Sequence, residues 1–354
     1  MRKITFFLGA GASKAFGLPL TTEIFPKVWK NLNRRRSKKH RRLVRLLTAL
    51  YPGINNQGSN GQLPGINDVL SIIDHFIING QVPLKKFTLN EMREYRQDLE
   101  MAVIAAIEDE SFYSYEETDE DKLYDRFIKT LLKLKGKFKV DIISTNYDIT
   151  IEYGLYHLGK LSYYNFIKTT DFGLKWRDPE NGGLYTIPEN PQSGIYKLHG
   201  STNWLACELC NQVYINIEGS IFDRFNEKVW EGNTCHCGHA KLTPVIVSPS
   251  LVRNVLDTNL KYVWNSALES LRTSDEWFII GYSLPAEDLN IRSILTRAIN
   301  ARMTKPKINV VQYGMNAKVR YENLFGEVKY YQNGLNEHIV SMLEKKLNRS
   351  KPKI

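Results

Sequence analysis

Six short apolar runs, each closed by glycine or polar residues, set the strongest limit on what this chain can fold into. They are Ile4 to Leu8, Val140 to Ile143, Ile195 to Leu198, Val245 to Val247, Trp277 to Gly281 and Ile308 to Gln312. Runs this short, apolar on both faces, fit strands buried between two helical layers better than the alternating strands of a half-solvated sheet. Helical patterns lie between them, such as Leu260, Val263, Trp264, Ala267, Leu268 and Leu271, and the segment from Leu289 to Ile299 after Pro285. Alternation of this kind predicts an α/β fold built on a doubly wound, Rossmann-like parallel sheet.

Two stretches break the alternation. From Lys27 to Lys135 helical periods dominate and strand signals are scarce. Asp68 precedes Val69, Leu70, Ile72, Ile73, Phe76 and Ile77, with a stop at Asn79-Gly80. Thr88 and Glu91 form a capping box ahead of Met92, Leu99 and Val103, and a third helix runs through Leu123, Phe127, Ile128 and Leu131. Tyr51 to Gly65, rich in Gly, Asn and Pro, reads as a loop. Residues 27–135 are therefore expected to be a helical insertion, and residues 205–240 a small cysteine-rich insertion, both inside one domain spanning 1–354. Hydrophobic residues at 42% and charged residues at 24% fit a folded globular chain. No apolar run reaches the ~18 residues of a membrane span, and Met1-Arg2-Lys3 leads into only a short apolar stretch, so neither a membrane helix nor a signal peptide is expected.

The net charge of +10 is concentrated in one block. Between Lys27 and Arg45 stand ten Lys and Arg residues and no acid. Such a block suits DNA phosphates or a solvated helix face, and the sequence leaves both open. The four cysteines, Cys207, Cys210, Cys235 and Cys237, are clustered too. A Cys-x-x-Cys followed by a second close pair can set four thiolates around a tetrahedral zinc, as in zinc ribbons. Two features depart from the usual pattern: the second pair is Cys-x-Cys, and 24 residues separate the pairs. His236 or His239 is an alternative ligand. Reduced cysteines imply a cytoplasmic location.

The chemistry-bearing residues sit where the apolar runs end. Gly9-Ala10-Gly11-Ala12-Ser13 follows the first run, as in a turn that lets a backbone approach a pyrophosphate. The dinucleotide fingerprint of hydride-transfer dehydrogenases also needs a third glycine, where Lys14 stands, and an acid closing a second strand; both are missing, which disfavours that class. Thr145-Asn146-Tyr147-Asp148 follows the second run. An Asn there can hold a ribose hydroxyl or a water, and an Asp can accept from a carboxamide or order the loop, while a helix cap is the structural alternative. His199 sits between a strand and Gly200, where a near-neutral imidazole suits general-base work. Gly281-Tyr282-Ser283 closes a later run with a small residue where a phosphate can rest.

Taken in order, these motifs resemble the sirtuin family over most of the chain. Gly9 to Pro19 is similar to the sirtuin Gly-Ala-Gly-x-Ser…Gly-x-Pro loop, Thr145 to Asp148 to its Gln-Asn-Ile-Asp, His199-Gly200 to its His-Gly, and Gly281-Tyr282-Ser283 to its Gly-x-Ser turn. The resemblance implies NAD as substrate, held by Gly9, Ala10, Gly11, Ser13, Pro19, Thr145, Gly281 and Ser283. It implies Asn146 on the ribose or a water, Asp148 at the nicotinamide end, and His199 as base. Deacetylase sirtuins carry Asp-Phe-Arg where this chain has Leu20-Thr21-Thr22, and Phe-Gly-Glu where it has Ser248-Pro249-Ser250. Pro249 has no N–H to offer an added peptide strand, which argues against peptide capture of that kind.

The sequence also resembles divergent bacterial sirtuin-like proteins with Gly-Ala-Gly-Ala-Ser, Thr-Asn-Tyr-Asp and Lys-Leu-His-Gly-Ser. This resemblance implies NAD+ hydrolysis to ADP-ribose and nicotinamide in anti-phage defence, gated by homo-oligomerisation or by a partner such as a HerA-like ATPase. The alternatives are a protein deacylase or ADP-ribosyltransferase, and a non-catalytic module that binds NAD or ADP-ribose or holds DNA.

Overall fold

A computed structural model describes residues 1–34, 37–55, 63–108, 119–159, 174–177, 184–186, 194–207, 209–210, 213–215, 235, 237, 242–247, 258–286 and 288–349. Five of the six apolar runs become strands of one parallel sheet: β1 (Lys3–Leu8), β2 (Lys139–Ser144), β5 (Ile195–Lys197), β9 (Glu276–Ile280) and β10 (Lys307–Val311). A sixth strand, β11 (Lys329–Tyr331), closes the edge, giving the order β11-β10-β9-β1-β2-β5. The chain thus runs outward from β1 to β2 and β5, then returns beside β1 to lay down β9, β10 and β11. This is the Rossmann strand order, with its switch point between β1 and β9. Sequence periodicity did not single out β11, because an exposed or half-buried edge strand of three residues carries no apolar run.

The Val245 run does not join this sheet. It forms β8 (Leu242–Ile246), which pairs antiparallel with β6 (Gly200–Cys207) in a second sheet of order β4-β3-β7-β6-β8. The other members are β3 (Leu174–Arg177), β4 (Leu184–Thr186) and β7 (Val213–Ile215). Only Leu198 and His199 separate β5 from β6. A parallel crossover needs a dozen or more residues, so the chain leaves the first sheet at this corner.

Alternate residues of β1 feed two cores. Ile4, Phe6 and Leu8 pack with α6 (Asp119–Lys135) and α11 (Glu337–Arg349), whereas Phe7 faces α8 (Thr258–Thr273) and α9 (Leu289–Asn300). Phe127, Ile128 and Leu131 of α6 thus pack in the core of the parallel sheet, although they fall within the 27–135 stretch. A third core joins α2 (Thr21–Arg34), α3 (Lys38–Leu50), α4 (Ile66–Ile78) and α5 (Leu89–Glu108) to Leu205, Cys207, Cys235, Leu242 and Ile246. The helical and cysteine-rich stretches therefore share one interior. The capping box forms at the start of α5, with Thr88 N–H donating to Glu91 at 2.8 Å and Glu91 N–H to Thr88 Oγ1 at 3.2 Å.

Part of the basic block is used inside the protein. Arg42 reaches Glu94 at 2.6 Å and lies over the Tyr95 ring, Lys39 approaches Asp98 at 3.8 Å, and Arg45 lies over Phe87, so α3 is docked on α5. Arg35 and Arg36 lie outside the described residues. No described helix is long and apolar enough to cross a membrane.

Candidate active site

At the switch point the loops after β1 and β9 lie backbone to backbone. Gly11 N–H donates to the Gly281 carbonyl at 2.9 Å. A Cβ on Gly9 would lie 2.6 Å from Tyr282 Cα, and one on Gly281 would lie 2.0 Å from Ala12 N; Gly281 also has a φ of 68°. The close approach that these glycines permit is thus to each other, while Ala10 and Gly281 still face a cleft. Pro19, Thr145, Asn146, Asp148, His199 and Ser283 line the same cleft, so the strand ends singled out in the sequence converge.

Ser13 joins two of the candidate residues from behind. Its hydroxyl accepts from Asn146 Nδ2 at 2.8 Å and donates to Asp148 Oδ2 at 2.8 Å. The other Asn146 Nδ2 hydrogen goes to the Gly9 carbonyl at 2.9 Å. Both amide hydrogens are then committed, and Oδ1 is the atom left to accept from a ligand. Asp148 Oδ1 accepts from Thr150 N–H at 3.1 Å, opening α7 (Thr150–Gly159), so its carboxylate also orders this loop.

His199 occupies the corner between the two sheets. Its Nδ1 lies 3.2 Å from the Thr145 carbonyl, which can only accept, so Nδ1 carries the proton and Nε2 is the basic nitrogen. The ring is buried. Burial pushes the imidazole below its ordinary value of 6.5, against the opposing pulls of Asp288 and the Thr145 carbonyl, and so favours the neutral form. The corner is braced on both sides. Val247 N–H donates to the His199 carbonyl at 2.9 Å, Tyr147 hydroxyl to the Val247 carbonyl at 3.0 Å, and Trp264 Nε1 to the Leu198 carbonyl at 2.9 Å.

Sequence reasoning missed four further participants. Lys197, on β5, pairs with Glu152 at 3.0 Å and donates to the Asp148 carbonyl. A lysine inside an otherwise apolar strand was the available signal. Asp288 lines the cleft, accepts from Tyr282 hydroxyl at 2.7 Å and caps α9; only its capping position was legible. Asn67 and Asp68 enter the cleft from the start of α4, which no local pattern reveals.

The cysteines meet the demands of a tetrahedral metal. Their four sulfur atoms lie within 4.8 Å of one another, with Cys207 and Cys237 sulfurs 3.7 Å apart and Cys210 and Cys235 3.3 Å apart. Ligands ~2.3 Å from zinc stand about 3.8 Å from each other in a tetrahedron. Cys210 N–H points at Cys207 Sγ from 3.5 Å, which steadies a thiolate. This group can hold zinc without help from His236 or His239, which lie outside the described residues. It lies at the far end of β6 from His199, roughly 20 Å along the strand.

No protein-family model and no curated protein matches the chain. Solved Sir2 structures do. One described for the mechanism and regulation of Sir2 enzymes shares 14% identity across 99% of this chain and 94% of that one, with a TM-score of 0.46. A Sir2 complex with p53 peptide and NAD+ shares 12% across 99% and 94%, with a TM-score of 0.43. Sir2Tm bound to a propionylated peptide gives 12%, 99%, 94% and 0.42. At those values the likeness carries no functional argument, and the chemistry must be read from the cleft itself.

Proposed function

We propose that this cleft hydrolyses the nicotinamide–ribose bond of NAD+ to give ADP-ribose and nicotinamide. The observation that carries the reading is His199, buried with Nδ1 held on the Thr145 carbonyl, in the same cleft as the Asn146 amide at a Rossmann switch point. Nε2 takes a proton from water as the water oxygen bonds to the ribose anomeric carbon. The carbon–nitrogen bond breaks with its electron pair passing to the pyridinium nitrogen, so nicotinamide leaves neutral. Asn146 Oδ1 accepts from a ribose hydroxyl or from that water.

Charge in the cleft favours this chemistry. Asp68, Asp148 and Asp288 line it, and no Lys or Arg is among its described lining residues. Carboxylates stabilise a pyridinium in the ground state and the positive charge that moves onto the ribose in the transition state. The four cysteines hold zinc, which ties the third core together and takes no part in the reaction. Free turnover would exhaust a central cofactor, so activity is gated, by self-association or by a partner protein such as a HerA-like ATPase, in an anti-phage role.

Purified protein, alone and with its genomic neighbour, is to be incubated with NAD+ with and without an acylated peptide, and the products separated. Nicotinamide and ADP-ribose formed without peptide support hydrolysis. Nicotinamide release that requires the peptide would instead assign a deacylase, and release with neither would leave a binding module.

A further inference from the structure

At the amino ends of β9, β10 and β11, the end of the sheet opposite the cleft, a cavity of about 530 Å³ opens between these strands and α11. Strand register sets its lining. Lys307 pairs with Glu276, Asn309 with Lys329 and Val311 with Tyr331, so Glu276, Lys307, Asn309, Lys329 and Tyr331 share one face of the sheet. That is the face α11 covers, since Lys346 reaches Glu276 at 2.8 Å. Asn309 Nδ2 donates to the same carboxylate at 2.9 Å, so the charge of Glu276 is already answered. Lys305 is engaged by the carbonyls of Phe325 and Glu327. Lys307, Lys329 and Lys345 remain. All three are exposed, and their ammonium groups make no hydrogen bond or ion pair among the described residues. Glu327 is the one other acid among the described lining residues. Like charges converging on one concavity focus a field that an anion relieves.

We propose that this cavity is a second ligand site, which binds a nucleoside di- or triphosphate with its phosphates among Lys307, Lys329 and Lys345. Lysine ammonium groups act as point charges that suit phosphate oxygens, and three of them match two or three phosphate groups better than one monoanion. Tyr331, Met342 and Val328 are half-buried and give the cavity an apolar wall on which a base or sugar can rest. The volume is that of a small-molecule site, and the concave shape favours a small anion over a flat contact with nucleic acid or protein. The cleft lies at the other ends of the same strands, so the two sites can be filled together, and this assignment does not depend on NAD+ hydrolysis.

Binding of ATP and of tripolyphosphate, without magnesium, is to be measured by calorimetry on the wild-type chain, on Lys307→Gln/Lys329→Gln/Lys345→Gln and on Tyr331→Leu, with folding checked by circular dichroism. Lys38→Gln/Lys85→Gln/Lys261→Gln removes the same charge from exposed positions elsewhere and serves as control. The first triple variant is expected to bind both ligands at least about 100-fold more weakly than wild type, and the control to bind like wild type. Tyr331→Leu is expected to lose about 10-fold for ATP and little for tripolyphosphate. A wild type that binds neither ligand, ATP binding that survives loss of the three lysines, or a control that loses as much as the first variant overturns the site. Tripolyphosphate bound as tightly as ATP, with no effect of Tyr331→Leu on either, overturns the nucleoside assignment.

Discussion

Substituting Met for Lys197 removes a cation from a place where water cannot replace it. Its ammonium and the Glu152 carboxylate are 3.0 Å apart, with side chains only 3% and 5% exposed. Burial already pushes the Glu152 carboxyl above its ordinary value of 4.5, while Lys197 pulls it down. Breaking such a pair from one side costs about 3–5 kcal/mol, because a charge is stranded in the interior. For a chain of this size that is about 4–7 °C in Tm. The loss should grow as pH rises above 4.5, since a stranded carboxyl with a raised folded pKa stays protonated while the unfolded chain ionises. Removing both charges in Lys197→Met/Glu152→Leu should return stability to within about 1–2 kcal/mol of wild type. Activity should not return with it, because the Asp148 carbonyl still lacks its donor; a fall of about 10-fold is expected. Urea unfolding and nicotinamide release on the two variants measure these quantities. A single variant within about 1 kcal/mol of wild type, or a double variant no more stable than the single, refutes the reasoning.

Ser13→Ala leaves an Asn146 hydrogen and an Asp148 oxygen without their shared partner, so a loss of about 1–3 kcal/mol and a kcat about 10- to 100-fold lower are expected from thermal melts and initial rates. Protein purified without chelator should contain one zinc per chain by metal analysis, and stripping it should lower Tm by about 10 °C, because Cys207 and Cys235 lie in the core shared with α2 to α5. The imidazole of His199 is held below 6.5 when folded, so the acid limb of kcat/KM should fall below pH 6.5, and stability should decline as pH drops from 6.5 toward the folded value. In folded His199→Gln that pH-dependent loss of stability should disappear.

Much of the parallel sheet was legible in the sequence because its strands are buried on both faces and advertise themselves as apolar runs. The second sheet was not. β6 reads Gly-Ser-Thr-Asn-Trp-Leu-Ala-Cys, which has neither a continuous apolar run nor a clean alternation, yet seven of its eight residues are buried. The motif residues at the carboxyl ends of β1, β2, β5 and β9 were identified because loops at those ends meet at a switch point whatever lies between them. Asn67 was invisible for the opposite reason: it reaches the cleft through packing of α4 on distant elements, which no local spacing encodes. The resemblance assigns Ser13 to NAD, and in the fold its hydroxyl joins Asn146 to Asp148. A serine in a glycine loop looks the same in sequence for either role.

The most direct test of the account is the rate of nicotinamide release from NAD+ by wild type and by His199→Ala of matched Tm and circular dichroism, under conditions in which the wild type turns over. The neutral imidazole fixed by Thr145 requires a drop of about 10²- to 10⁴-fold in kcat on losing the base. A folded His199→Ala that releases nicotinamide at the wild-type rate would contradict the central claim.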